Sequence, residues 1–215
     1  DVAAAESSVL DARPERLVLR VDRTDPSKNI VRGFAAFDLF LSDHPEWQGR
    51  VTMLALLDPS RPEIPEYAEY MGAIQRAARG LNDRYYSTGW TPVDLRVSDN
   101  FPETVAAYKH YDVLLVNAIF DGMNLVAKEA PLVNTRDGVL ILSENAGAFQ
   151  ELGAYAIAVN PFDIQEQADA IHRALTMPDG ERRERIEAIR EHVRANDISR
   201  WIESQLVDMA EAVRA

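Results

Sequence analysis

Six short apolar segments alternate along this chain with longer segments of helical spacing, and few folds accommodate that alternation. Residues 16–23, RLVLRVDR, have the apolar density of a strand that is buried on both faces. Strands separated by helices need crossover connections, which are right-handed and leave the strands parallel. The pattern predicts an α/β fold with a doubly wound, Rossmann-like parallel sheet. The predicted strands are residues 16–23, 51–57, 93–97, 112–117, 138–142 and 156–159.

The helical segments predict the boundaries of the chain's parts. Residues 1–15 are rich in Ala, Ser and Glu and indicate a linker or a helix tail. The sheet domain is expected to cover residues 16–195, and residues 196–215 are expected to form a C-terminal helix. Because the chain begins at Asp1 without an initiator methionine, we expect a fragment of a longer protein. The predicted helices are residues 30–40, 65–86, a short one that ends near 109, one that opens with 121–129, and residues 147–152, 164–176, 180–195 and 199–213.

The charge and composition exclude several classes of partner. A net charge of −12 disfavours nucleic acid and anionic membranes, because either would require a basic face. The absence of cysteine excludes disulfides, zinc–thiolate sites and cysteine nucleophiles. The four histidines show no metal-ligand spacing, so no metal site is expected. No segment approaches about 18 consecutive apolar residues, and we expect a soluble, cytoplasmic protein that does not contact a membrane.

The run DGMNLVAKE at residues 121–129 follows the fourth predicted strand and opens a helical pattern. The first N–H groups of a helix lack intrahelical partners and carry partial positive charge, so this position suits a phosphate. Gly122 lacks a Cβ and would let a ligand approach the backbone closely. The run is also compatible with an ordinary strand-to-helix turn that has a solvated acidic cap.

Cations follow two of the predicted strands. Arg23 and Lys28 flank the loop after the first strand, and Arg61 follows the second. Because these loops share one edge of a parallel sheet, together they favour a nucleoside diphosphate site. Individually, Arg23 or Lys28 would equally pair with Asp22 or Asp25. The sequence contains no dinucleotide fingerprint, P-loop or nucleophile elbow.

These segments also resemble a known family. The resemblance rests on Val21-Asp22-Arg23 through Lys28, Pro59-Ser60-Arg61, the DGMNLVAKE run, Ser143-Glu144 with Ala146-Gly147-Ala148, and Val159-Asn160-Pro161 with Asp163. In this order they resemble the trehalose-6-phosphate synthase family of retaining glycosyltransferases, over residues 17–209. The resemblance implies the C-terminal, donor-nucleotide-binding half of a two-domain GT-B enzyme, whose missing N-terminal domain supplies much of the acceptor site.

The same resemblance implies a role for individual residues. Arg23 and Lys28 would bind the donor diphosphate, Asp121 would contact the transferred ring, and Arg61 would reach the acceptor phosphate. These residues would act by positioning and charge stabilisation, without a protein nucleophile, a tightly bound cofactor or a metal. The remaining implied contacts are Gly122, Met123, Asn124 and Leu125 with the ring and phosphates, Glu129 with the ribose, and Asn100 and Phe101 with the base.

Departures from the family pattern bear on the substrate. Phe120 stands where the family usually has an arginine, and Ala130 where it usually has a tyrosine. In these features the chain resembles the validoxylamine A 7′-phosphate synthases, pseudo-glycosyltransferases of validamycin biosynthesis. That resemblance implies a GDP-linked donor, GDP-valienol, joined to validamine 7-phosphate through a C–N bond.

Other functions stay open at this point. An ordinary synthase would transfer glucose from GDP- or UDP-glucose to glucose 6-phosphate. A regulatory homologue would bind a nucleotide without turnover, and a plain scaffold domain would bind no ligand. A homo-oligomer is compatible with the sequence, which does not fix the oligomeric state.

Overall fold

Nine helices and six strands make up the described part of the chain, residues 2–87 and 89–214 of a computed structural model. The strands are β1 Arg16–Arg23, β2 Val51–Asp58, β3 Val93–Val97, β4 Val113–Val116, β5 Val139–Ser143 and β6 Ile157–Val159. The helices are α1 Val2–Ala12, α2 Ile30–Asp43, α3 Pro65–Arg84, α4 Phe101–His110, α5 Leu125–Val133, α6 Phe149–Leu152, α7 Ile164–Thr176, α8 Asp179–Ala195 and α9 Ile198–Arg214. Two short 3-10 helices, Pro26–Lys28 and Pro45–Trp47, follow β1 and α2.

All six strands are parallel and lie in the order β3-β2-β1-β4-β5-β6. The chain first moves outward from β1 through β2 to β3, then returns to pair β4 with the other side of β1. This order confirms the predicted doubly wound α/β fold. The switch in direction between β1 and β4 opens a crevice at their carboxyl ends, where ligands of such sheets bind.

The sheet is buried on both faces. Alternate residues of β1 contribute to separate apolar clusters, with Val18 in one and Leu17 and Leu19 in the other. The first cluster contains residues of α2, α3 and α7, and the second contains residues of α1, α4, α5 and α8. Burial on both faces explains why the strands are nearly continuous apolar runs.

Most predicted element bounds lie within about three residues of the observed ones, but two local features differ. The DGMN segment is an ordered loop, and α5 begins only at Leu125. Helix α1 is held on α4, because Glu6 accepts a hydrogen bond from Lys109 and pairs with His110, and Val9 is fully buried. Among the described residues, no helix is long and apolar enough to span a membrane.

A fully buried arginine, Arg20, lies in the middle of β1. Its guanidinium forms an ion pair with Asp22, at 2.7 Å, and donates to the backbone carbonyl of Lys28, at 3.0 Å, and to the side chain of Asn117, at 3.3 Å. Burial raises the pKa of Asp22, although the adjacent Arg20 acts in the opposite direction. The sequence analysis counted this residue as part of an apolar strand and did not foresee the network.

Gly33 in α2 makes room for that guanidinium. A Cβ on Gly33 would lie 2.3 Å from Nη1 of Arg20 and 3.1 Å from the side-chain nitrogen of Asn117. Because several hydrogen bonds hold Arg20, it cannot move aside without losing some of them. By contrast, a Cβ on Gly80 in α3 would meet no atom within 4 Å.

Two glycine-to-alanine substitutions should therefore have opposite effects on stability. Alanine favours a helix interior by about 1 kcal/mol over glycine, so Gly80→Ala should raise the free energy of unfolding by up to that amount. Gly33→Ala should lower it, because overpacking costs roughly 1–3 kcal/mol and exceeds the helix gain. Urea denaturation measures both, and a stabilised Gly33→Ala protein would contradict the tight packing around Arg20.

Candidate nucleotide-binding site

A cleft of about 350 Å³ lies at the carboxyl ends of β1, β2 and β4. It lies beside the switch point of the sheet, where the topology places ligands. Its lining includes the three residues expected to be catalytic, Arg23, Lys28 and Asp121, and three of the expected donor-binding residues, Met123, Asn124 and Leu125. The structure thus brings together residues that are about 100 positions apart in sequence.

Lys28 and Asp121 form an ion pair across the cleft, with side chains 13% and 14% exposed. Asp121 also accepts hydrogen bonds from the side chain of Asn124, at 3.0 Å, and from the backbone N–H of Met123, at 3.3 Å. Burial acts to raise the pKa of Asp121, but Lys28 and these hydrogen bonds outweigh it and hold the pKa below its usual range. The carboxylate is therefore charged at neutral pH and is the partner of Lys28 in the absence of a ligand.

Arg23 has a different environment. Its side chain is exposed at the end of β1, and the structure gives it no hydrogen bond or ion pair within the described residues. The carboxylates that the sequence offered as partners are engaged elsewhere: Asp22 binds Arg20, and Asp25 accepts from Ser27 and Tyr67. An arginine whose guanidinium has no hydrogen bond or ion pair among the described residues is available to an anionic ligand.

The loop that carries Lys28 is fixed by its own hydrogen bonds. Asp25 caps the 3-10 helix Pro26–Lys28 by accepting from the N–H of Ser27, at 2.9 Å. Asn29 adopts a left-handed conformation, with φ of 59°, and its side chain donates to the carbonyls of Asn117 and Pro161. These bonds tie the loops after β1, β4 and β6 to one another.

The loop that carries Asp121 is held from the other side. Gly147 donates its N–H to the carbonyl of Asp121, at 2.8 Å, and Ala148 donates to Met123, at 2.7 Å. Asn124 caps α5 through a hydrogen bond from the N–H of Ala127, at 3.0 Å. The segment Ala146-Gly147-Ala148 therefore clamps the DGMN backbone at the start of α5.

Gly122 does not line the cleft, and its φ is not positive. Among the described residues, a Cβ at this position would meet no atom within 4 Å. The packing of the fold therefore does not require glycine here, and the space beside Gly122 is open.

The other expected site residues lie around the cleft. Glu129 lines a neighbouring apolar cavity of about 390 Å³ that shares Met123 and Leu125 with the cleft. Asn100 caps α4 by accepting from the N–H of Glu103, and Phe101 beside it is exposed. Neither Asn100 nor Phe101 lines the cleft.

Arg61 lies in the loop after β2 and is linked to the Lys28 loop. It has a left-handed φ of 45°, and its guanidinium lies 5.5 Å from the centroid of the Tyr67 ring and donates to the Tyr67 hydroxyl. That hydroxyl donates in turn to Asp25. Arg61 is thus connected, through the side chains of Tyr67 and Asp25, to the loop that carries Lys28 rather than to the cleft itself.

Sequence reasoning missed Asp58, a cleft residue at the end of β2. Burial, with a contribution from the nearby Asp99, raises the pKa of Asp58. Its position after the second strand is the same signal that identified Arg61. It brings a carboxyl group with weakened acidity beside the two cations.

Comparison with known proteins gives a family for residues 8–211, which match the model of glycosyltransferase family 20. A bifunctional trehalose-6-phosphate synthase/phosphatase from Thermoproteus tenax is 41% identical over 189 residues, which are 86% of this chain and 26% of that protein. The chain spans about half the length of the solved structures it matches.

Two solved structures are similar over nearly the whole chain. A UDP-forming α,α-trehalose-phosphate synthase from Burkholderia xenovorans in complex with glucose-6-phosphate is 32% identical with a TM-score of 0.90, and covers 98% of this chain and 46% of its own. An E. coli structure with bound UDP-2-fluoro glucose is 32% identical with a TM-score of 0.87, and covers 96% of this chain and 46% of its own.

The clamp on the DGMN loop can be tested through Gly147. A Cβ there would lie 2.1 Å from the carbonyl oxygen of Gly122 and 3.2 Å from Cα of Met123, so Gly147→Ala must displace backbone. This displacement should lower the local stability of the loop by roughly 1–3 kcal/mol. The amides of residues 147 and 148 should therefore exchange about ten- to a hundredfold faster. Amide hydrogen exchange by NMR measures this, with Gly80→Ala as the matched control. Unchanged protection of the two amides would show that the clamp does not hold the loop.

Proposed function

The chain belongs to glycosyltransferase family 20, and we propose that it forms the donor-nucleotide-binding half of a retaining glycosyltransferase of the trehalose-6-phosphate synthase type. The observation that carries the proposal is the pair of Lys28 and Asp121 across the cleft, beside Arg23 with no protein partner among the described residues. Since the chain spans only about half of the solved relatives, the activity is proposed for the natural protein that carries this sequence.

For the substrates, we propose a nucleotide-linked glucose as donor and glucose 6-phosphate as acceptor. The similar structures from Burkholderia xenovorans and E. coli contain glucose-6-phosphate and UDP-2-fluoro glucose, respectively. The UDP-linked sugar in the E. coli structure supports a uridine nucleotide over the GDP-linked donor that the sequence resemblance suggested. They also favour glucose over valienol as the transferred ring.

In the proposed mechanism, the diphosphate takes over Lys28 from Asp121. The ammonium group exchanges one carboxylate for phosphate oxygens and so keeps a charge-assisted hydrogen bond throughout. Asp121, once released, accepts hydrogen bonds from the hydroxyls of the transferred ring. The hydrogen bonds from Asn124 and from the N–H of Met123 do not depend on Lys28 and continue to favour the charged, hydrogen-bond-accepting form of Asp121.

Charge develops on the diphosphate as the bond to the transferred ring breaks. Arg23, Lys28 and the first N–H groups of α5 stabilise that charge, and this assistance replaces a protein nucleophile. Front-face attack by the acceptor then retains the configuration, while an oxygen of the departing diphosphate receives the acceptor's proton. The carboxylates that line this half of the cleft are not required as a general base.

The residues around the cleft are assigned to the remaining parts of the donor and the acceptor. Arg61 binds the acceptor phosphate, and its contact with Tyr67, whose hydroxyl donates to Asp25, holds it near the donor loop. Glu129 binds the ribose, and Asn100 with Phe101 contacts the base. As the family resemblance implies, the backbone at Gly122 is assigned to the ring, and the open space where a Cβ would lie leaves room for a ligand beside the cleft.

Helix α9 supports the proposal that another half of the protein exists. Its apolar side chains Trp201, Leu206 and Met209 are 59%, 60% and 65% exposed. We propose that the remaining part of the natural protein buries them, since large contiguous apolar surfaces are rarely left in water.

One observation favours a second candidate function, the pseudo-glycosyltransferase reaction. Phe120 directly precedes Asp121 and is 72% exposed, where the family resemblance leads us to expect an arginine. An apolar side chain at this rim suits a donor ring with less charge to stabilise, such as valienol. The amine of validamine 7-phosphate would then form a C–N bond to that ring.

Lys28→Ala should weaken binding of UDP to the natural protein about ten- to a hundredfold, because a charged hydrogen bond contributes roughly 1.5–3 kcal/mol. Isothermal titration calorimetry measures this. Lys109→Ala is the matched control, since Lys109 is also ion-paired, to Glu6 on α1, but does not line the cleft. Equal affinities for the two variants would contradict the assignment of the cleft as a diphosphate site.

Product analysis separates the candidate functions. The natural protein is incubated with UDP-glucose and glucose 6-phosphate in one tube, and with GDP-valienol and validamine 7-phosphate in another. We expect trehalose 6-phosphate in the first tube alone by mass spectrometry, and none with Lys28→Ala. A nitrogen-bridged product in the second tube alone would establish the pseudo-glycosyltransferase, and nucleotide binding without product in either tube would establish the regulatory homologue.

A further inference from the structure

A second cluster of polar side chains lies at the amino edge of the sheet, opposite the cleft. His44 follows the last residue of α2, Glu46 lies in the 3-10 helix Pro45–Trp47, and His172 lies near the end of α7. The sequence analysis found no metal-ligand spacing among the histidines, because His44 and His172 are far apart in the chain. In the fold, one potential ligand atom from each of the three residues lies within 4.8 Å of the others.

We propose that His44, Glu46 and His172 bind a divalent transition metal ion of the zinc class. Two imidazole nitrogens and one carboxylate oxygen are a ligand set that suits Zn²⁺, and they leave a fourth tetrahedral position for water. Such a set binds a metal at a place that has no part in the proposed transfer reaction.

The two imidazoles are held together before any ion binds. Their rings are stacked, with centroids 3.7 Å apart and an interplanar angle of 2°. Phe40 packs under both, with ring centroids 5.7 Å from His44 and 6.5 Å from His172. Because α2 and α7 pack against each other over the same face of the sheet, the backbones that carry the ligands are fixed.

The ring nitrogens are also free of competing partners. Within the described residues, the only polar contact of either ring is the 3.5 Å approach of Nδ1 of His44 to Glu46. By contrast, His110 is tied to Glu6 by a short hydrogen bond, and its other ring nitrogen is buried without a partner. The pair on α2 and α7 is therefore better placed to bind an ion.

Metal binding requires a small rearrangement. Ligand atoms on one tetrahedral zinc ion lie about 3.3 Å apart, given Zn–N and Zn–O distances near 2.0–2.2 Å. The rings must therefore turn out of their parallel stack, so that their lone pairs converge, and Glu46 must approach. The side chains of His44 and Glu46 are 27% and 56% exposed, which leaves them room to turn without disturbing the core.

The role of such an ion would be structural. Helix α2 leaves the cleft loop at Ile30 and ends at the opposite edge, so a metal at His44 fastens the far end of the helix that follows Lys28. A ligand that binds only the folded state raises its stability. Zinc should therefore raise the melting temperature of the protein without requiring nucleotide.

Calorimetric titration with Zn²⁺ tests the proposal. We expect one ion per chain, and at least a tenfold weaker affinity for His172→Ala, because even loss of an outer partner of a metal ligand costs 10–100-fold. Glu46→Gln, at an exposed position, should weaken binding without affecting folding. His192→Ala is the matched control, because His192 also lies near a carboxylate, Glu151, yet is not part of the cluster.

Two further readouts distinguish this site from other zinc binding. Co²⁺ in place of zinc should give the intense visible absorption of a tetrahedral ion in the natural chain and in His192→Ala, but not in His172→Ala. Zinc should raise the melting temperature of the natural chain and of His192→Ala, but not that of His172→Ala. Undetectable binding of zinc, or equal affinity in His172→Ala and the natural chain, would overturn the proposal and leave the histidines as a packing contact.

Discussion

The guanidinium of Arg20 is the interaction on which the organisation of the cleft depends. It is fully buried at the centre of the sheet and binds at once to Asp22 on its own strand, to the backbone of the Lys28 loop and to Asn117 after β4. A buried ion pair seldom adds net stability, but removing one partner leaves a buried charge and costs about 3–5 kcal/mol. The network therefore acts mainly by specifying one arrangement of the loops at the switch point.

In that arrangement the backbone and the side chain of Lys28 have different partners. Its carbonyl is held by Arg20 inside the fold, while its ammonium reaches Asp121 across the cleft. Asn117, which bonds Arg20, also donates to Gln167 on α7, at 2.8 Å, and Gln167 donates to the carbonyl of Pro161. The loops after β1, β4 and β6 are thus parts of one hydrogen-bonded body, so a ligand at Lys28 meets groups that are already positioned.

Sequence reasoning found the fold because parallel strands that are buried on both faces leave a simple apolar signal. It also predicted that Arg23, Lys28 and Asp121 lie close together, because polar residues that follow such strands converge on one edge of the sheet. It missed Arg20 because one charged residue inside an apolar run does not change the pattern of the strand. It missed the meeting of His44 with His172 because their contact depends on how α2 and α7 pack, which periodicity within either helix does not report.

In the proposed function, the residues that would hold the diphosphate are separate from those that would distinguish one transferred ring from another. Arg23, Lys28 and the start of α5 would contact the phosphate groups that every nucleotide diphosphate carries, and they are anchored to the sheet. The side chain of Phe120, in the loop after β4, is instead exposed on the rim next to Asp121. We therefore expect a change at the rim to alter which ring is accommodated without disturbing the proposed phosphate site. Under the proposed function, the same scaffold would be compatible with glucosyl transfer and with pseudo-glycosyl transfer, and the choice between them would depend on residues at the rim rather than on the sheet.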